Sequence, residues 1–195
     1  NDVLDSDVRA NASARRAIAA LREARESGDI GADVNLGRLA AAYPELKEQI
    51  GPSTDLFRKA AERKFVDADY QLGFRSVFMA DSLDEYRAGI SRLDRAACAG
   101  YAPAQFLIAM LVLAAEDKAA LPYARDLLDA AVAGGHKTAG RYLAGLLAAS
   151  PIDSVRDGRR SRELIESQLN DPILARHPLM RSEEHTSELQ SRYVI

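Results

Sequence analysis

The 195-residue sequence has no tryptophan, a single cysteine (Cys98) and three histidines. One thiol cannot form an internal disulfide, and a cysteine-rich zinc site is excluded with it. No apolar run approaches the roughly 18 residues that a membrane span needs. No sign of charge dominates: 26 Lys and Arg against 29 Asp and Glu leave a net charge of −3. The chain therefore lacks the clustered basic footprint of a nucleic-acid binder. A phosphate loop, a G-x-S-x-G elbow, an H-E-x-x-H pair and a dinucleotide fingerprint are all missing, so no motif assigns a catalytic, cofactor or metal site.

What is present suits a folded, helical chain. Hydrophobic residues make up 47 % and charged residues 28 %, and the many alanines favour helix. The length fits one domain or a short repeat array with a real core. Cys98, among small residues in AACAG, reads as a buried free thiol acting as a small hydrophobe. The chain begins at Asn1 rather than Met, which points to a missing amino-terminal portion, so the absence of a visible signal peptide does not separate cytoplasm from periplasm.

The dominant feature is an internal repeat. The phrase ADVNLG (Ala32–Gly37) recurs as ADYQLG (Ala68–Gly73), AQFLIA (Ala104–Ala109) and AGRYLA (Ala139–Ala144), at spacings of 36, 36 and 35. Each copy places Leu36, Leu72, Ile108 or Leu143 four residues after a small residue, with Gly37, Gly73, Ala109 or Ala144 following. Upstream, Leu21, Phe57, Leu93 and Leu128 keep the same phase, as do Ala24, Ala60, Ala96 and Ala131. Gly28, Gly100 and Gly135 stand four residues before the alanine, and Lys64 takes that place in the second copy.

These residue types have a common physical purpose. Apolar residues at i, i+3 and i+4 mark one helix face, small residues on it let a neighbouring backbone approach, and a junction glycine supplies the left-handed conformation that ends many helices. Pro44 and Pro52 bracket a loop, Pro103 opens a helix and Pro151 follows one. The pattern predicts helices at 13–27, 32–43, 53–64, 68–79, 84–99, 103–115, 119–133, 137–149 and 156–169. One such hairpin cannot bury its apolar face alone, so the expected fold is all-α, an α-solenoid of stacked antiparallel helix pairs. The expected organisation is an irregular segment at 1–12, a repeat array at 13–150, a variant last repeat or capping helix at 151–170 and an irregular stretch at 171–180.

At AACAGYAPAQFLIAM (Ala96–Met110) the sequence resembles the Sel1-like repeat, a relative of the tetratricopeptide repeat, whose unit runs roughly A-A-x-x-G-x-x-x-A-x-x-x-L-G. Ala96, Ala97, Gly100, Ala104 and Ala109 fit it, with Ile108 in the leucine place. Ala32, Leu36 and Gly37 match its second half, as do Ala68, Leu72 and Gly73. The family's Gly-x-Gly-Val loop is replaced by MADSLDEYRAG (Met79–Gly89), and SPIDSVRDGRRSRELIE (Ser150–Glu166) is similar to a variant last unit. The resemblance implies a non-catalytic, bacterial scaffold that binds other proteins through the concave face lined by the first helix of each pair. The alternative is an accessory repeat region of a larger enzyme or sensor.

With Leu36, Leu72, Ile108 and Leu143 pointing inward, residues two before and two after would flank that groove: Val34 and Arg38, Tyr70 and Phe74, Phe106 and Met110, Arg141 and Gly145. Arg38, Tyr70, Phe74, Phe106, Met110 and Arg141 are the candidate binding residues, suited to a peptide that carries an acidic group, because aromatics, methionine and arginine are enriched at interface cores. The competing reading packs these aromatics between helices. His136, at a helix start where positive charge is disfavoured, reads as a neutral junction residue, and His177 as an exposed loop residue. The charges of Arg156–Glu166 read as a solvated helix face, with Asp157 favoured near the helix start.

The terminal stretch RSEEHTSELQSRYVI holds Glu184, His185 and Glu188 at helical spacing, which superficially suggests a metal or acid/base site. Reverse-translated, however, Arg181–Ser191 matches a standard short-read sequencing adapter, and Arg192–Ile195 fit a barcode and the adapter's next codon. Residues 181–195 are accordingly read as a non-native tail and set aside from function.

Overall fold

In the computed structural model the described residues are 2–169. They form α1 (Asp2–Glu26), α2 (Ile30–Ala42), a short α3 (Lys47–Ile50), α4 (Ser53–Glu62), α5 (Val66–Phe78), α6 (Leu83–Cys98), α7 (Ala102–Ala114), α8 (Leu121–Ala133), α9 (Ala139–Ala149) and α10 (Gly158–Leu169), with no strand among the described residues. The nine helices that the periodicity predicts are all present. Two differences stand out. Residues 2–12, expected to be irregular, continue α1; the stretch contains neither glycine nor proline to break a helix. The loop between Pro44 and Pro52 contains a 3-10 turn at Pro44–Leu46 and α3. The expectations for His177, for 171–180 and for the tail at 181–195 lie outside the described residues.

The fold divides into two compact units at Ala96–Ala97, with α6 running across the division. In the first, α2 packs on α1 and α4, and α4 on α5. One core cluster joins Val34, Phe57, Ala60, Ala68 and Leu72; another joins Ile18, Leu36, Leu46 and Leu56. In the second unit α8 packs on α7 and α9, and α10 on α9, around Ala109, Leu128, Ala131, Ala139, Leu143 and Leu147. Leu36, Leu72, Ile108 and Leu143 are all buried, as are Phe57, Leu93 and Leu128, whereas Leu21 is only half-buried against the first unit's core.

Small residues in the repeat set how closely helices approach. A Cβ at Gly37 would lie 2.6 Å from a ring carbon of Phe57, and one at Gly73 would lie 2.9 Å from Leu93 Cγ and 3.0 Å from the Gly89 carbonyl oxygen. In two copies the residue after the repeat alanine ties its helix to the helix before it. Asp33 meets Arg25 Nε at 3.2 Å. Gln105, also eight residues downstream of its partner, donates from Nε2 to the Ala97 carbonyl at 3.2 Å. Asp69 instead turns to the following helix and holds Arg92 at 2.9 Å and Arg95 at 3.0 Å.

Junctions and caps follow from local chemistry. Gly28, Gly100 and Gly135 adopt φ of 90°, 82° and 80°, and Lys64 is held at 61° in the same left-handed region. Asp29 Oδ1 accepts from the Gly31 amide, and Asp157 Oδ1 from the Arg160 amide, both capping helix starts. Ser161 Oγ donates to the Ala144 carbonyl at 2.8 Å, pinning α10 to α9. Cys98, expected to be buried, is exposed: α6 turns Ala96 and Ala97 inward, and the next residue falls on its outer side.

Two stability outcomes follow. A non-glycine residue in the left-handed region costs roughly 1–2 kcal/mol, offset in part by the greater unfolded-state freedom of glycine. Lys64→Gly should therefore raise stability by about 0.5–1 kcal/mol in urea denaturation; an unchanged or lower midpoint would count against strain at this junction. Gly37→Ala should destabilise by about 1–3 kcal/mol through overpacking, and by clearly less in a Phe57→Leu background. Strictly additive effects in that double-mutant cycle would refute the contact.

Candidate functional site

The eight groove positions separate into five environments. In the first unit, Val34 is 1 % exposed and belongs to the core, so it flanks no groove: α2 packs against α4 and shares a cluster with α5, which leaves that side of Val34 no solvent. Arg38 is exposed, but its guanidinium is engaged by Asp67, with Nη2 2.7 Å from Oδ2 and 2.9 Å from Oδ1. The expected cation for an acidic ligand is therefore already neutralised at this end.

Tyr70 and Phe74 lie on α5 as placed, their ring centroids 6.2 Å apart. Phe78, one further turn on, stands 4.7 Å from Phe74. Tyr70 is half-buried, and burial raises its pKa above 10.0, reinforced by Asp67 and opposed by Arg38. Exposure then rises along the row, to 39 % at Phe74 and 56 % at Phe78. Met79, Leu83 and Tyr86 extend the exposed apolar surface onto the start of α6.

In the second unit Phe106 and Met110 are half-buried against the core cluster, the packing role that competes with the groove reading. Phe106 is nevertheless the base of an aromatic group. The His136 ring stacks on it at 4.2 Å and the Tyr142 ring meets it edge-on at 5.4 Å. Arg141, exposed on α9, carries its guanidinium 5.3 Å from the Tyr142 ring centre. No carboxylate among the described residues pairs with it. Leu113, Arg141, Tyr142, Gly145 and Leu146 line an open depression of about 400 Å³.

Phe78, Leu113, His136, Tyr142 and Leu146 were not among the sequence candidates. Two were within reach of helical spacing, since Phe78 is Phe74 plus four and Leu113 is Phe106 plus seven. His136 and Tyr142 reach Phe106 only through tertiary packing. The expectation of a neutral His136 agrees with a pKa lowered from 6.5, although burial is the leading cause, opposed by a backbone hydrogen bond.

Among the described residues no group of three or more His, Cys, Asp or Glu could hold a metal ion, and no helix is long and apolar enough to cross a membrane. Arg156, just before α10, pairs with Asp153, and Arg160 on α10 pairs with Asp129.

The helical fold has a counterpart among solved structures. The fold matches that of a Sel1 repeat protein. That protein, from Oxalobacter formigenes, superposes with a TM-score of 0.64 over 93 % of this chain and 71 % of its own, at 20 % sequence identity. No family model matches the sequence, and no curated protein does. The Sel1 repeat fold is thus recognisable in three dimensions at an identity where only the architecture carries over. It makes the fold class an α-solenoid of helix pairs, and in that frame α2, α5, α7 and α9 are the first helices and α4, α6, α8 and α10 the second.

A histidine whose folded pKa lies below its unfolded value takes up a proton more readily when unfolded. The neutral His136 therefore supports the fold above about pH 6.5, and that support is lost as pH falls from there through the lowered folded pKa. Comparing urea midpoints at pH 7.5 and 5.5 should show a larger loss for the natural chain than for His136→Phe. Equal losses would show that burial at the Phe106 stack does not control this proton.

Proposed function

We propose that the chain is a non-catalytic repeat scaffold that holds a protein partner along the faces of its first helices, the concave face in a solenoid of this class. The observation that supports this most directly is the exposure of large apolar side chains on those helices, Phe74 and Phe78 on α5 and Tyr142 on α9. Exposed aromatics add little to the fold, whereas at an interface aromatic and arginine side chains often carry most of the binding energy. The Sel1 repeat fold supports the reading, since within each unit it packs helices in pairs and leaves one face of a first helix free.

Site-specific photo-crosslinking tests it. A benzophenone side chain at Phe78 or Tyr142 should give discrete adducts in a bacterial lysate, and one at Lys59 or Arg159 on second helices should not. The double variant Phe74→Ser, Phe78→Ser, added unlabelled, should compete poorly for the partner captured at Phe78, while losing no more than about 1–2 kcal/mol of stability, since these are surface positions. Adducts of equal strength at all four positions would overturn the assignment to first helices.

A further inference from the structure

Gly145 lies inside α9, where glycine is a poorer helix former than alanine. Elsewhere in the repeat such a cost has a local cause: Gly37 and Gly73 face Phe57 and Leu93 so closely that no Cβ fits. At Gly145 a Cβ would meet nothing within 4 Å. Packing within the described residues therefore gives no reason for the missing side chain. The register makes the omission specific. Two residues after each core leucine or isoleucine stand Arg38, Phe74, Met110 and then Gly145, so three repeats place a large side chain where the fourth places none.

The space left open belongs to the depression that Gly145 lines together with Leu113, Arg141, Tyr142 and Leu146. Leu113 and Leu146 supply it with apolar lining. Its one charged group is a guanidinium that rests over the Tyr142 ring and has no carboxylate partner among the described residues, in contrast to Arg38, which Asp67 occupies. Such a site fits an apolar side chain inserted beside an acid, each supplying what the surface lacks.

We infer that the Gly145 gap on α9 is a side-chain socket of the scaffold, which takes a leucine-sized or aromatic residue of a partner peptide while an adjacent Asp or Glu side chain pairs with Arg141. This rests on the scaffold reading above and narrows it to one anchor and one ligand chemistry. The arginine is a selector for the neighbouring acid, and the glycine determines that the anchor comes from the partner rather than from the chain's own helix.

The test pans a phage-displayed random dodecapeptide library, fused at its carboxyl end so that any acid must be a side chain, against the full chain. Enriched peptides should share an apolar residue next to Asp or Glu. Gly145→Leu fills the gap from within, and should weaken their binding at least about tenfold by removing an anchor pocket. Because leucine is the better helix former, its melting temperature should not fall. Gly145→Ala provides a second, smaller plug should leucine perturb the fold. Arg141→Gln should weaken acidic peptides about three- to tenfold and flatten their salt dependence. Enriched peptides that bind the Gly145 variants within twofold of the natural chain, or that lack the apolar–acidic pair, would overturn the socket and leave the scaffold reading standing. No enrichment over an unrelated helical protein would count against both. Self-association that disappears in Gly145→Leu would assign the gap to a second copy of the chain and overturn the peptide.

Discussion

Close approach between helices, with a small residue on one facing a bulky one on the other, is the constraint on which the rest depends. Gly37 admits the ring of Phe57, and Gly73 admits Leu93 and the Gly89 backbone. Once those contacts are made, the neighbouring positions have little freedom. Leu36 and Leu72 must turn into the core, and residues two further along the helix are carried away from it. The exposed row Phe74–Phe78 is thus a geometric consequence of how Gly73 and Leu72 are used. A larger residue at either glycine would displace a helix, and the surface row would move with it, because packed interiors transmit such changes rather than absorb them.

The same logic explains why related positions behave differently in the two units. Arg38 and Arg141 occupy the flanks of equivalent core leucines, yet one guanidinium is held by Asp67 and the other rests over Tyr142. An exposed ion pair contributes little to stability, but it removes Arg38 from competition for a ligand's charge. Phe106 is likewise divided between tasks. Its ring supports the core cluster and also carries His136 and Tyr142, so an aromatic residue can be partly core and partly the floor of a surface. The interior and interface readings of that residue describe two sides of one ring.

Much of this was legible in the residues, and what was not has identifiable causes. The spacing of 36, 36 and 35 located the helices through α9, and junction chemistry extended even to Lys64, which adopts the left-handed backbone where three other repeats place glycine. Periodicity alone could not show that Val34 lies in the core, since two residues along a helix is also the direction of the next helix pair. Nor could it show that Cys98, beside two buried alanines, is turned outward. Helix start signals were weak at the amino end, so residues 2–12 looked irregular although nothing in them breaks a helix.

The sequence by itself determined the repeat, the helix pairs, the core leucines and the places where backbones come close, because each depends on residue size, hydrophobic period or backbone freedom within a few turns of chain. Tertiary structure decided which candidate surface groups were still available. Whether Arg38 has a carboxylate, whether Arg141 has none, whether His136 stacks on Phe106 and whether anything fills the space above Gly145 all depend on side chains from helices distant in sequence. Local patterns set where a side chain starts and which way it leaves the helix. Only packing brings the partner that neutralises, buries or exposes it.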